Sequence, residues 1–109
     1  MLNKKGEYLM AHEVYKIDDF QYSSTPFKLL YVTRSEYDKG WHSTPHTHHF
    51  TELFYIIDGK GAFVLSNEEI QVEKNDLIII NPTVEHTEKS NKEDSLQYIA
   101  LGIEGIAFT

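Results

Sequence analysis

The sequence predicts an all-β domain, a small sandwich or barrel, and three observations carry that reading. Stretches rich in β-forming residues recur at Phe27 to Thr33, Leu53 to Ile57, Ala62 to Leu65, Leu77 to Ile80 and Leu96 to Ile103. Between them stand short groups with the composition of tight turns: Asp58-Gly59-Lys60-Gly61, Ser66-Asn67-Glu68, Glu73-Lys74-Asn75 and Asn81-Pro82-Thr83. No segment keeps a helical period over three turns.

The chain has 109 residues, 40% of them apolar, which suffices for one core and not for two. Residues 1–26 are mixed and polar, with the turn signal Ser23-Ser24-Thr25-Pro26, and read as an arm or edge strand. Residues 27–109 form the domain proper. The run Lys89 to Ser95 offers only charge and small polar groups and reads as a solvated loop. The last ten residues stay apolar as far as Thr109, so the chain is expected to be a piece of a longer one.

A formal net charge of -7 repels phosphate backbones, which argues against direct nucleic-acid binding by this segment. With no cysteine, disulfides, thiolate metal sites and thiol nucleophiles are excluded, and a reducing compartment fits. The longest wholly apolar run, Leu77 to Ile80, is far too short to span a bilayer, and the N-terminus carries no signal-peptide core. A cytoplasmic protein is expected.

The chemistry is concentrated in His46, His48, Glu52 and His86. Imidazole and carboxylate are the donor types that suit iron, manganese, nickel, cobalt or zinc, and such a set leaves positions open for water or a small ligand. Along an extended strand His46, His48, Phe50, Glu52, Phe54 and Ile56 would share one face, which sets a carboxylate among apolar side chains. A buried carboxylate has to be paired, protonated or bound to a cation. The opposite face, Leu53, Tyr55 and Ile57, is apolar too, so alternation leaves open which side is inward.

The segment Gly40 to Gly59, GWHSTPHTHHFTELFYIIDG, resembles the first cupin motif at all of its fixed positions: Gly40, His46, His48, Glu52 and Gly59. Asn75 to Ser90, NDLIIINPTVEHTEKS, is similar in spacing to the second motif and keeps His86. Asn75, Asn81, Thr83 and Ser90 stand where that family has glycine, proline, glycine and asparagine. The resemblance implies a small jelly-roll barrel, the cupin double-stranded β-helix, with His46, His48, Glu52 and His86 lining the interior as metal ligands.

Within cupins, the wording ELFYIIDGKG, NDLIIINPTVEH and YIALGIEGI looks most like the amino-terminal domain of AraC-type transcriptional regulators, from about Phe27 to Ile106. That likeness implies a domain that binds a small-molecule effector and promotes homodimerisation. DNA would be read by helix-turn-helix units that follow in the family and have no counterpart in these residues. The expectation is a non-enzymatic sensor. The alternatives are a metal-dependent cupin enzyme of the isomerase or dioxygenase type and a stand-alone binding protein.

Other positions carry plainer expectations. The four-residue set either holds a metal or persists as pocket histidines without one. Trp41 packs under the arm or stacks on a planar ligand at the barrel mouth. Phe50, Phe54 and Phe63 are core first and pocket walls second. His42 and His49 fall on the other parity and read as rim residues, His12 carries no signal, and Gly40 and Gly59 read as turn glycines with positive φ.

Overall fold

The computed structural model describes residues 10–16, 27–37, 44–66 and 68–107. Within them the chain forms β1 (Met10–Lys16), β2 (Lys28–Tyr37), β3 (Thr51–Asp58), β4 (Lys60–Leu65), β5 (Glu68–Glu73), β6 (Leu77–Ile80), β7 (His86–Ser90) and β8 (Gln97–Glu104). They build a five-stranded sheet in the order β1-β2-β8-β3-β6 and a three-stranded sheet in the order β5-β4-β7. All pairings are antiparallel. From β3 onward the chain passes repeatedly between the two sheets, which is the jelly-roll arrangement. No helix among the described residues is long and apolar enough to cross a membrane.

The switch from β3 to β4 turns on one residue. Gly59 adopts a φ of 80°, and a Cβ there would overlap the carbonyl of Ser95. Glycine alone meets both demands. Two further turns reach the same left-handed region without glycine, at Asn75 with φ 76° and at Thr83 with φ 69°. Asparagine tolerates that region; a β-branched threonine is strained in it.

Strand register resolves the question that alternation left open. Glu52, Phe54 and Ile56 are buried, whereas Tyr55 is exposed and Leu53 and Ile57 are half-buried, so the even positions of β3 face inward. Across the large sheet the inward rows are Tyr31, Gly102, Glu52 and Ile80, followed by Thr33, Ala100, Phe54 and Ile78. Phe54, Ile56, Phe63, Val72, Ile80, Leu96 and Tyr98 are the body of the core. The outward rows, Val32, Leu101, Leu53 and Ile79, then Arg34, Ile99, Tyr55 and Leu77, are mostly apolar. Leu77, Tyr55 and Ile79 in those rows are exposed.

Two strands depart from the sequence expectation. β5, with Glu68, Glu69, Ile70, Gln71 and Glu73 all exposed, buries only Val72, so it carries too little apolar alternation to be read as a strand. β7 takes Lys89 and Ser90 out of the expected loop. Ser90 is buried, and its hydroxyl accepts the Leu96 backbone N–H at 2.9 Å. The loop is confined to 91–95, where the Asn91 side chain accepts the N–H groups of Glu93 and Asp94 at 2.7 and 3.1 Å.

The arm expected over 1–26 contains β1, which pairs with β2 along its whole length as an edge strand of the large sheet. Trp41, Gly40 and His42 lie outside the described residues.

Candidate metal centre

Three pieces of chain bring the chemistry together. Glu52 lies on the inward face of β3, beside the rim of the barrel, and His86 opens β7 on the facing sheet. His46 precedes β3 and forms an isolated antiparallel bridge with His86, in which each backbone N–H donates to the other residue's carbonyl, at 2.9 and 3.0 Å. This one-residue extension of the small sheet hangs His46 and His48 over the barrel mouth. The N–H of Thr83 donates to the carbonyl of His48 at 2.7 Å, which ties the strained turn to the same segment.

The potential ligand atoms of His46, His48, Glu52 and His86 all lie within 4.8 Å of one another. Atoms bound at about 2.1 Å to one ion stand about 3.0–4.2 Å apart, so a small contraction closes the set around a metal. Glu52 Oε1 sits 3.1 Å from His86 Nε2 and 3.2 Å from His48 Nε2. The other carboxylate oxygen, Oε2, accepts the Tyr31 hydroxyl at 2.6 Å.

Tautomers follow from the partners. His46 Nδ1 is 2.8 Å from the carbonyl of Thr44, and His86 Nδ1 is 2.8 Å from the carbonyl of Val84. A carbonyl only accepts, so both Nδ1 atoms carry hydrogen and both Nε2 atoms are the ones available to a ligand. Backbone acceptors of this kind orient metal-binding imidazoles. The donor set and its orientation fit a divalent first-row ion.

Electrostatics separates the histidines. Burial works against charge at His86, but hydrogen bonds to Glu52 and the Val84 carbonyl, with the negative charge of Glu52, raise its pKa above the ordinary imidazole value. Burial lowers the pKa of His48, and the neighbouring His46 and His86 add to that against the pull of Glu52. For Glu52, burial is outweighed by hydrogen bonds from His86 and Tyr31 and by the nearby imidazoles, and its carboxyl is held below the usual range. A metal would take the place of the His86 proton on Nε2.

The aromatic residues singled out in the sequence separate by depth. Phe50 stacks on His48, with ring centroids 4.6 Å apart and 18° between planes. Phe54 packs edge-on 6.3 Å from His86, and Phe63 lies behind it at 4.8 Å. Both of these are fully in the core, and His49 is exposed.

Two groups of residues escaped the sequence reading. Tyr31 was visible only as one β-former among several; its link to Glu52 depends on pairing register. Glu88 lies two residues beyond His86 on the same inward face, and its Oε1 accepts the hydroxyls of Tyr98 at 2.8 Å and Tyr37 at 3.0 Å. Reading β7 as a strand would have found it by alternation.

A jelly-roll barrel with three imidazoles and a carboxylate converging inside it defines a cupin. The chain belongs to the AraC-like ligand binding domain family, which it matches over residues 29–109. A stretch of 40 residues is 42% identical to the uncharacterized protein MJ1618 of Methanocaldococcus jannaschii, covering 35% of this chain and 32% of that protein. The chain thus matches about a third of that relative's length.

Among solved structures, a cupin-like protein from Thermotoga maritima superposes with a TM-score of 0.73 at 16% identity, over 89% of this chain and 69% of that one. A predicted oxalate decarboxylase from the same organism gives 0.69 at 21% identity, over 87% and 78%. A conserved protein of unknown function from Streptococcus pyogenes gives 0.72 at 15% identity, over 98% and 82%. At these identities the likeness establishes the fold.

Proposed function

We propose that this domain is the effector-sensing and dimerisation part of an AraC-type transcriptional regulator, and that it binds a divalent metal through His46, His48, Glu52 and His86. The small-molecule effector enters at the mouth, beside the metal, where Phe50 forms one wall and Phe54 and Phe63 back the site. The domain is non-enzymatic and cytoplasmic. DNA is contacted only by a further domain.

The observation that carries the metal reading is the convergence of four ligand atoms within 4.8 Å, with two of the imidazoles turned by backbone carbonyls so that Nε2 faces the others. The metal supplies a Lewis-acidic anchor for an oxygen- or nitrogen-bearing effector. The family supplies the sensing role. Support for a homodimer comes from the outer face of the large sheet, where Leu77, Ile79 and Tyr55 are exposed beside Leu53, Ile99 and Leu101.

The test is titration of metal-depleted protein with manganese, iron, cobalt, nickel and zinc. One equivalent binds to the wild type and none to His86→Ala. Absence of stoichiometric binding for every ion sinks the metal reading. Sedimentation of wild type and Leu77→Lys checks the dimer, which the lysine disrupts.

A second reading has one observation in its favour. The complete three-histidine, one-carboxylate set is also what a metal-dependent cupin enzyme would use, whether an isomerase or a dioxygenase. Turnover of a small substrate that vanishes in His48→Ala would favour it over the sensor.

A further inference from the structure

We infer that Tyr31 is a positioning residue for the metal centre, fixing which oxygen of Glu52 is presented to the imidazoles; this rests on the metal-binding reading above. In the large sheet Tyr31 on β2 pairs with Gly102 on β8, and Gly102 pairs with Glu52 on β3, so the three stand in one row across three adjacent strands. β2 and β3 are therefore separated by the whole width of β8, about 10 Å at the usual strand spacing. A tyrosine reaches across that width only if nothing stands on the strand between.

Gly102 provides the passage. A Cβ on it would run into the Tyr31 ring, at 2.6 Å from Cζ and 2.9 Å from Cδ2. The ring lies over the bare backbone of β8, and its hydroxyl ends 2.6 Å from Glu52 Oε2. An irregularity in β2 assists. Leu29 pairs with Ile103 and Tyr31 with Gly102, so Leu30 is an extra residue, and beyond this bulge Tyr31 shares the inward parity of Thr33, Ser35 and Tyr37. Bulges of this sort re-aim a side chain beside a functional site.

The consequence falls on the ligands. With Oε2 engaged by the phenol, Oε1 is the oxygen that faces His48 Nε2 and His86 Nε2. Tyr31 also packs edge-on against Phe50 at 5.5 Å, and Phe50 stacks on His48. One side chain thereby restrains two of the four ligands, Glu52 through a hydrogen bond and His48 through a ring stack. Hydrogen-bond partners outside a ligand set commonly govern metal affinity by 10–100-fold.

The experiment compares wild type, Tyr31→Phe and Gly102→Ala by cobalt(II) titration, following both affinity and the visible absorption spectrum, with thermal unfolding of the metal-free proteins alongside. Tyr31→Phe keeps the ring and frees Oε2. Expected is an affinity loss of about 10–100-fold and a changed cobalt spectrum, without a matching loss of folded protein. Gly102→Ala, which displaces the ring from the β8 side, should move both readouts in the same direction. Wild-type affinity and an unchanged spectrum in Tyr31→Phe would overturn the role of Tyr31 while leaving the metal centre standing. Failure of the wild type itself to bind cobalt would remove both.

Discussion

Glu52 and Glu88 enter the same barrel from inward positions on facing sheets, and both are buried, but the groups around them differ in kind. Glu52 is met by the imidazoles of His48 and His86 and by one phenol, close to a mouth where the His48 side chain is 28% exposed. Glu88 lies deeper and accepts from the phenols of Tyr37 and Tyr98, which are themselves 2.7 Å apart. An imidazole protonated on both nitrogens, as the raised pKa of His86 favours, can give up its Nε2 proton to a metal without leaving its place. A phenol whose pKa is pushed up by burial and by a neighbouring carboxylate cannot do so near neutrality, and it keeps its proton in the hydrogen-bonded cluster. The barrel thus holds two buried acids in different surroundings: one beside imidazoles near the mouth, the other in a hydrogen-bonded knot of phenols.

The largest effect expected from that contrast comes from isosteric exchange of each acid. Glu52→Gln should weaken metal binding by more than about 100-fold, since it replaces a charged donor where even an outer hydrogen-bond partner is worth 10–100-fold. Glu88→Gln should leave metal affinity within a few-fold of wild type and lower the unfolding free energy by about 1–3 kcal/mol, the usual cost of a disturbed buried hydrogen-bond acceptor. Isothermal titration and urea denaturation of both variants decide it. Equal loss of metal in the two would mean that the clusters work as one site.

A smaller effect is read in pH, and Tyr31 beside Glu52 shares its direction, because burial and its hydrogen bond to Glu52 raise its pKa too. Burial, with the charge of Glu88, raises the pKa of Tyr37 and Tyr98 above the ordinary phenol value of 10.0. The folded protein therefore keeps these protons at pH values where the unfolded chain has lost them. Stability from the knot is complete below pH about 10 and falls as pH rises beyond it, by up to about 1.4 kcal/mol per pH unit for each tyrosine. Denaturation curves at rising pH should show this alkaline decline. In Tyr98→Phe it should be shallower, and an unchanged slope would show that the phenols of this cluster do not set it.

The legibility of the sequence follows the same division. His46, His48, Glu52 and His86 could be named because ligand types at a family spacing are a local pattern, and the structure brings all four together. The jelly roll was legible in the strong strands and in the turns at Gly59 and Asn75. The Glu88 knot was not, because Tyr37, Glu88 and Tyr98 come from three strands and meet only through register. Tyr31 was hidden for the same reason, since its reach to Glu52 depends on what Gly102 lacks, on a strand that is adjacent in the sheet but six strands later in the sequence. β5 was missed because an edge strand with one buried side chain has no apolar period to detect.

The smallest effect concerns Thr83, whose φ of 69° places a β-branched residue in the left-handed region. That conformation costs an L-residue about 1–2 kcal/mol, and glycine escapes the cost while losing about 0.5–1 kcal/mol through its greater freedom in the unfolded chain. Thr83→Gly should therefore stabilise the protein by no more than about 1.5 kcal/mol, read as a small rise in the urea midpoint. The threonine N–H, not its side chain, holds the His48 carbonyl, so the substitution leaves that bond available and metal affinity close to wild type. If relieving the strain weakened metal binding instead, the conformation of this turn would be part of how the mouth presents His48, and the candidate metal centre would extend beyond its four ligands.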